Sequence, residues 1–329
     1  MDKTGATVLV TGGAGYIGSH ACRLLKAAGH RPVVFDNLST GWREAAKFGP
    51  LIEGDLLDPA ALRAAFEAAR PDAVMHFAAL SNVGESVAHP ALYWRNNVVG
   101  SLNLLDAMRA ADVRRLVFSS TCATYGEAVA ELTEDHPQNP INPYGRTKLT
   151  VERMIGDYAS HGIAAVVFRY FNVAGADPAA GIGEQHEPET HLAPLVLDAI
   201  AGARPAIVVN GADYETPDGT CIRDYLHVLD LAQAHVLGLD HLLAGGGALT
   251  LNLGTGRGFS VKEVIHAAEA ATGLRAPVRV GPRRPGDPPR LVCGGSRAEA
   301  ALGWRPRRST MAEMLADAWA WRTMARYRN

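Results

Sequence analysis

Thr7-Val8-Leu9-Val10-Thr11-Gly12-Gly13-Ala14-Gly15-Tyr16-Ile17-Gly18-Ser19 is the stretch that decides the fold. Its β-branched opening, Thr7–Val10, reads as a buried strand, and a helical period sets in near Ser19 and runs to Ala28. Glycines between the two permit a tight turn and close backbone approach, and the helix N-terminus then offers N–H donors to a pyrophosphate. The spacing is GxxGxxG and not GxGxxG, so the reading leans on having strand and helix on the correct sides. Asp36 follows the next strand-like run, Pro32–Phe35. A carboxylate there accepts a hydrogen bond from an adenosine ribose and repels a 2′-phosphate, which favours NAD over NADP. Asp55, in Glu53-Gly54-Asp55-Leu56, offers either a partner for an adenine edge or an ordinary loop cap.

Outward from this turn, short β-branched runs alternate with alanine- and leucine-rich helical stretches, a parallel α/β pattern. Further strands are predicted at Leu51–Glu53, Ala73–His76, Arg115–Phe118 and Ala165–Phe168, with helices over Pro59–Ala68, Ala91–Ala110 and Tyr144–His161. The expected fold is α/β, a doubly wound parallel sheet of Rossmann type with a smaller C-terminal substrate domain. After about Asn172 the texture changes to a stretch rich in Gly, Pro, Glu and His, Ala174–Leu192, followed by a helix over Ala193–Ala201. This sets domains at 1–175 and 176–329. Within the second, Arg223–Val228 and Asp230–Ala244 read as a strand and helix, so residues 222–244 are expected to return to the first sheet.

Tyr144-Gly145-Arg146-Thr147-Lys148 carries the chemistry. Asn142 and Pro143 read as N-cap and first helical residue, so Tyr144 and Lys148 share one face of a new helix, one turn apart. A nearby ammonium and the positive helix end both favour the phenolate, making Tyr144 a candidate base that takes a hydroxyl proton while hydride leaves carbon for a nicotinamide. The pair follows the serine- and threonine-rich strand end Ser119-Ser120-Thr121 and lies about 130 residues after the glycine turn.

Composition excludes several classes. The chain has 329 residues, 47% of them hydrophobic, enough for one large domain or two associated ones. A formal net charge of −2 gives no footprint for nucleic acid or an anionic membrane, so the expected partners are small molecules. Cys22, Cys122, Cys221 and Cys293 form no CxxC, which argues against a disulfide framework or zinc site and for a reducing, cytoplasmic setting. No metal is expected. No 18-residue apolar span or signal-peptide core appears, and Met1–Gly5 passes directly into the first strand.

Taken together these residues resemble the extended short-chain dehydrogenases/reductases, and within them the epimerases of UDP-hexoses, over nearly the whole chain. The likeness rests on Gly12–Gly18, Asp36-Asn37-Leu38, His76-Phe77-Ala78-Ala79, Val83-Gly84-Glu85-Ser86, Asn96-Asn97-Val98, Ser119–Thr121, Tyr144–Lys148 and Arg169-Tyr170-Phe171-Asn172. Asp218-Gly219-Thr220, Arg223-Asp224-Tyr225 and Arg284-Pro285-Gly286-Asp287 extend it. The resemblance implies interconversion of UDP-glucose and UDP-galactose, with oxidation at C4, rotation of the sugar and re-reduction by retained NAD. Tyr144 is then the base, Lys148 holds the nicotinamide ribose, and Thr121 hydrogen-bonds the sugar O4. Gly12, Gly15, Tyr16, Ile17 and Gly18 would line the pyrophosphate, with Asp36 and Asn37 on the adenosine ribose. Asp55, Leu56, Phe77, Ala78, Ala79, Asn96 and Tyr170 would complete the cofactor site. Asn172, His191, Leu192, Arg223, Arg284 and Asp287 would hold the UDP-sugar, the arginines on the diphosphate and Asp287 on the uridine ribose. A homodimer built on Ala91–Ala110 and Tyr144–His161 is also implied.

The chain departs from the family pattern at some positions. Ser81 stands where some relatives carry a lysine, Asn210 where an aromatic is frequent, and His191 where an asparagine is common. The His191 imidazole either donates to phosphate or packs on the surface. Leu291 falls where epimerases restricted to unmodified hexoses carry a bulky tyrosine. It either admits an N-acetylated sugar or packs the domain core. A 4,6-dehydratase needs an acid pair after its threonine, and Cys122-Ala123 stand there instead. Epimerases of pentose or uronate UDP-sugars share the same core residues. A non-catalytic NAD-sensing protein on this fold would usually lack the tyrosine or lysine, and both are present.

Overall fold

The structure, a computed structural model, describes residues 5–127, 131–284, 287–295, 297–324 and 327. Met1–Thr4, Pro285 and Gly286, named above, lie outside the described residues. In chain order its strands are β1 (Thr7–Thr11), β2 (Arg31–Asp36), β3 (Leu51–Glu53), β4 (Ala73–His76), β5 (Arg115–Thr121), β6 (Ala164–Tyr170) and β7 (Asn172–Ala174). They continue with β8 (Ile207–Asn210), β9 (Ile222–His227), β10 (Leu249–Leu253), β11 (Gly258–Ser260), β12 (Val278–Gly281) and β13 (Arg290–Leu291).

Seven strands form one parallel sheet in the order β10-β6-β5-β4-β1-β2-β3. A parallel sheet must be covered on both faces, which is why its strands are apolar nearly throughout. One face packs Ala21, Cys22 and Leu25 of helix Tyr16–Ala27 with Leu231, Val236 and Leu239 of helix Val228–Leu243. The other packs Leu62 and Phe66 of helix Pro59–Ala69 with Leu104, Met108, Val151 and Ile155 from two further helices, Gly100–Ala110 and Pro143–Tyr158. The winding reverses between β1 and β4, so a crevice opens beyond their carboxyl ends, where such sheets bind ligands. There the N–H groups of Phe77 and Ala78 both donate to the Thr11 carbonyl, at 2.9 and 3.1 Å.

A second sheet, β11-β9-β13 with β7 also on β9, packs separately. Its neighbouring core joins Val196 and Leu197 to Val264, Met314 and Leu315 from helices Leu192–Ile200, Val261–Thr272 and Met311–Thr323. The strands β8 and β12 form a parallel pair of their own.

Two sequence expectations are corrected. Only the helix of segment 222–244 returns to the first sheet, against helix Tyr16–Ala27 and strands β5 and β6. Its strand β9 pairs with β7, β11 and β13, because β10 already occupies the edge beside β6. The long helix expected over Ala91–Ala110 is divided into Pro90–Tyr93, a π-helical stretch Trp94–Val99, and Gly100–Ala110. Pro90 can only begin a helix, and the wider π turn lets Asn97 reach inward. The buried Asn97 amide donates to Leu80 O at 3.0 Å and to Thr147 Oγ1 at 3.2 Å, while its carbonyl accepts from Leu80 N at 2.9 Å.

Candidate active site

The glycine turn is shaped by contacts that exclude any side chain. Gly12 sits at φ +72°, and a Cβ there would meet Ala78 N at 2.5 Å; one on Gly18 would meet Gly12 O at 2.1 Å. Gly15 is the N-cap of helix Tyr16–Ala27 and no side chain caps it, so first-turn N–H groups remain available to an anion. Asp36 ends β2 with its carboxylate preset: Oδ2 accepts from Ala14 N at 3.0 Å and Oδ1 from Leu38 N at 2.9 Å. Burial raises its pKa, and these two backbone donors work in the opposite direction. Asn37 donates to Asp55 Oδ2 at 2.9 Å, while Asp55 Oδ1 caps Leu57 N at 2.8 Å, so Asp55 does form a loop cap.

Helix Pro143–Tyr158 begins as its sequence dictates, with Pro143 at the first position and the Asn142 side chain accepting from Gly145 N at 2.9 Å. Such a cap contributes about 1 kcal/mol. The helix is held onto the sheet by the buried ion pair of Glu152 with Arg169 of β6, at 2.6 Å. Lys148, one turn before Glu152, is buried and donates to the Ser119 carbonyl at 2.7 Å, with its ammonium 4.9 Å from the Phe118 ring centre. Burial lowers its pKa to about 7, against the pull of Glu152. Burial also pushes the Tyr144 phenol well up, and Tyr170 adds to this, while a hydrogen bond with Thr121 draws it down. Desolvation is thus the largest influence on Tyr144 and acts against the phenolate that the sequence favours.

A cleft of about 450 Å³ joins these features. Gly12, Gly15, Tyr16, Ile17, Gly18, Asp36, Asn37, Asp55 and Leu56 line it from the first half of the sheet. Phe77, Ala78, Ala79, Asn96, Tyr144, Lys148, Tyr170 and His191 line the remainder. Thr121 does not line it, yet ends β5 and touches the Tyr144 phenol. The other expected substrate residues lie outside this cleft. Asn172 in β7 faces Tyr225 across the register, and Arg223 in β9 faces Leu291 in β13. Arg223 meets Asp287 at 2.5 Å and Arg284 meets the same carboxylate at 3.1 Å. Leu192 opens helix Leu192–Ile200, against the second core. Leu291 packs with Cys122, next to Thr121, around Tyr125, Leu132, Phe171 and Cys293.

Several further residues line the cleft. Ser119 holds the Tyr170 hydroxyl at 2.5 Å, and Ser81, Asn82 and Glu85 form a wall beyond β4. His186 and Thr190 join His191 on the opposite side. The alternation of Glu and His through Glu184–His191 is the one sequence signal that pointed there. Burial alone would raise the Glu184 carboxyl, but the charges of His191 and His186 hold it down at about 2. His186, also opposed by burial, is driven to about 10 by Glu184 and Glu189.

The family model described as the NAD dependent epimerase/dehydratase family matches residues 8–254. The chain is similar to a UDP-glucose 4-epimerase of Rhizobium leguminosarum bv. trifolii, 52% identical over 319 residues covering 96% of this chain and 97% of that one. Among solved structures it is similar to a UDP-glucose 4-epimerase from Brucella ovis in complex with NAD. The TM-score is 0.93 at 50% identity, with 95% of this chain and 97% of that chain covered. Another, from Bifidobacterium longum in complex with NAD⁺ and UDP, has a TM-score of 0.92 at 38% identity, covering 96% and 98%.

Proposed function

The chain belongs to the NAD dependent epimerase/dehydratase family, and from that premise we propose that it interconverts UDP-glucose and UDP-galactose by inverting C4 of the hexose. The observation that carries this reading is the single cleft in which the glycine turn, Asp36, Tyr144 and Lys148 meet. The uncapped helix end and the side-chain-free turn fit a dinucleotide diphosphate, and Asp36 fits an unphosphorylated ribose. NAD, when bound, supplies a hydride acceptor that later returns the hydride and, in its oxidised form, a cationic ring.

Tyr144 takes the proton from the sugar O4, directly or through Thr121, and gives it back when the alcohol re-forms. Lys148 spends one N–H on Ser119, which leaves its remaining N–H groups for the nicotinamide ribose, and its charge opposes the desolvation of the phenol. Gly12, Gly15, Tyr16, Ile17 and Gly18 take the pyrophosphate; Asp36 and Asn37 take the adenosine ribose. Asp55, Leu56, Phe77, Ala78, Ala79, Asn96 and Tyr170 enclose the rest of the cofactor. Arg223, Arg284, Asp287, Asn172, Leu192 and His191 hold the uridine diphosphate, with residues 176–329 forming most of its site. Configuration can invert only if the sugar turns over while the nucleotide stays held, so binding energy belongs on the diphosphate and not on the hexose.

A second substrate class is favoured by one observation. Leu291 and Cys122, the neighbour of Thr121, pack against the same buried cluster, and the Leu291 side chain is shorter than an aromatic ring. An N-acetylated UDP-hexose fits this reading. The assembly we propose is a homodimer through helices 90–110 and 143–158, supported by the exposed Leu92, Val99 and Leu102 on the first of these. No helix of the described residues is long and apolar enough to cross a membrane, and none of the four cysteines is in a disulfide, which supports the cytoplasm as its setting.

Purified protein given UDP-galactose with no added NAD tests the reading. UDP-glucose should appear while NADH stays flat. Stoichiometric NADH during steady turnover, or no product with NAD present, would overturn it.

A further inference from the structure

The loop from Glu184 to His191 aims four ligand-type side chains at one point on the cleft wall. One donor atom from each of Glu184, His186, Glu189 and His191 lies within 4.8 Å of all the others. His186 Nδ1 is 3.4 Å from Glu184 Oε1 and 3.5 Å from Glu189 Oε2, while His191 Nδ1 contacts Glu184 Oε1 directly. A tetrahedron with metal–ligand bonds of about 2.0–2.1 Å has edges of about 3.3–3.4 Å, close to these two separations. The imidazole planes stand at 88° with centroids 5.2 Å apart, so the two rings converge edge to face instead of stacking.

Further observations bear on how this group could hold a cation. His186 Nδ1 is shielded from solvent and has no hydrogen-bond partner, although two carboxylates stand within ion-pair range. A cation seated between them would be held in place of a proton on that nitrogen. The Glu184 side chain is more than nine-tenths buried, at 6% exposure, and turns the same oxygen toward both histidines. Glu189 is already half committed: its Oε1 accepts from Thr190 N at 2.7 Å and His191 N at 2.9 Å, and Oε2 is the atom facing His186. The loop is held in advance of any ligand, since Trp321 Nε1 donates to Glu184 O at 3.1 Å and Trp42 Nε1 to Gln185 O at 2.8 Å.

We propose that this loop binds one divalent transition-metal ion, zinc(II) by its donor type, through Nδ1 of His186 and His191 and one carboxylate oxygen each of Glu184 and Glu189. Two imidazoles and two carboxylates are a borderline donor set suited to zinc, and the absence of CxxC spacing bears only on thiolate sites. Coordination through Nδ1 leaves His191 Nε2 as an N–H donor on the wall of the cleft, with ring and tautomer set by the metal. The ion would then order this side of the substrate site without touching the reacting carbon. The site stands independently of which UDP-sugar is turned over.

The holoenzyme is dialysed against a chelator, returned to metal-free buffer and titrated with zinc(II) by calorimetry, with metal content checked by atomic emission. One equivalent per chain is the expected result. His186→Ala and Glu184→Gln should weaken binding at least about tenfold. Cobalt(II) added to the wild type provides a readout that needs no variant: intense visible d–d bands mark a tetrahedral site. Failure to take up zinc, a faint octahedral cobalt spectrum, or unchanged affinity in both variants with native circular dichroism would each overturn the proposal.

Discussion

The guanidinium of Arg223 meets the carboxylate of Asp287 at 2.5 Å, with both side chains largely buried and Arg284 on the same carboxylate's other oxygen. This arrangement holds a fork of N–H donors in place beside β9 before any substrate arrives. Arg223→Ala should raise KM for UDP-galactose at least about tenfold and change kcat much less, because the nucleotide is held equally before and during the reaction. Equal losses in kcat and kcat/KM would assign Arg223 to the chemical step instead.

Tyr144 lines the cleft with its phenol hydrogen-bonded with Thr121, and its removal separates base chemistry from binding. Tyr144→Phe should lower kcat by at least about 10² with UDP affinity almost unchanged. Turnover near that of the wild type would take Tyr144 out of the mechanism.

A pH series should isolate the role of Lys148. We propose the phenolate as the active form of Tyr144; burial pushes that phenol up, and a cation at Lys148, one helical turn on, would act against the push. Lys148→Met therefore raises the phenol pKa further, so the rising limb of the kcat profile moves to higher pH and the deficit shrinks as pH increases. A deficit of the same size at every pH would leave Lys148 with cofactor positioning alone.

Asp36 lines the cleft with its oxygens already oriented by Ala14 N and Leu38 N. Asp36→Ala should weaken NAD and narrow its preference over NADP, since the carboxylate that repels a 2′-phosphate is gone. Reconstitution of stripped enzyme with each dinucleotide measures this. An unaltered preference would mean that another group discriminates.

Leu291 packs against the same buried cluster as Cys122, the neighbour of Thr121, and we propose that it influences sugar size. Wild type should turn over UDP-N-acetylglucosamine, and Leu291→Tyr should lower kcat/KM for that sugar by about 10-fold or more while sparing UDP-glucose. Rejection of the N-acetyl sugar by the wild type would leave Leu291 as core packing.

The parts of this site that could be read in advance are the local ones. The strand, turn and helix from Thr7 to Ala27 follow from steric and hydrogen-bonding rules acting within about twenty residues, and so does the cap of Asn142 on Gly145. What escaped are pairings between distant segments. Strand β10 joins the sheet beside β6, some eighty residues earlier, and its short run of Leu and Thr does not announce a partner. The π turn at Trp94–Val99 exists because Asn97 reaches Leu80 and Thr147, neither of which is legible from the helix itself. Arg223 and Asp287 meet across 64 positions. Glu184, His186, Glu189 and His191 lie close in sequence, but their convergence depends on Trp42 and Trp321 holding the loop.

The chain crosses between its two sheets by short connections: Phe171 alone separates β6 from β7, β9 runs directly into helix Val228–Leu243, and β10 leads within a few residues to β11. Such lacing leaves no single hinge about which the halves could swing apart. Release of a dinucleotide from the cleft is then expected to proceed by local displacement of the loops around it and not by a swing of the halves, which favours a residence time long compared with a catalytic cycle. Each bound molecule would then serve many turnovers before it is exchanged. The enzyme's rate would follow its sugar nucleotide supply and be buffered against swings in the surrounding ratio of oxidised to reduced cofactor.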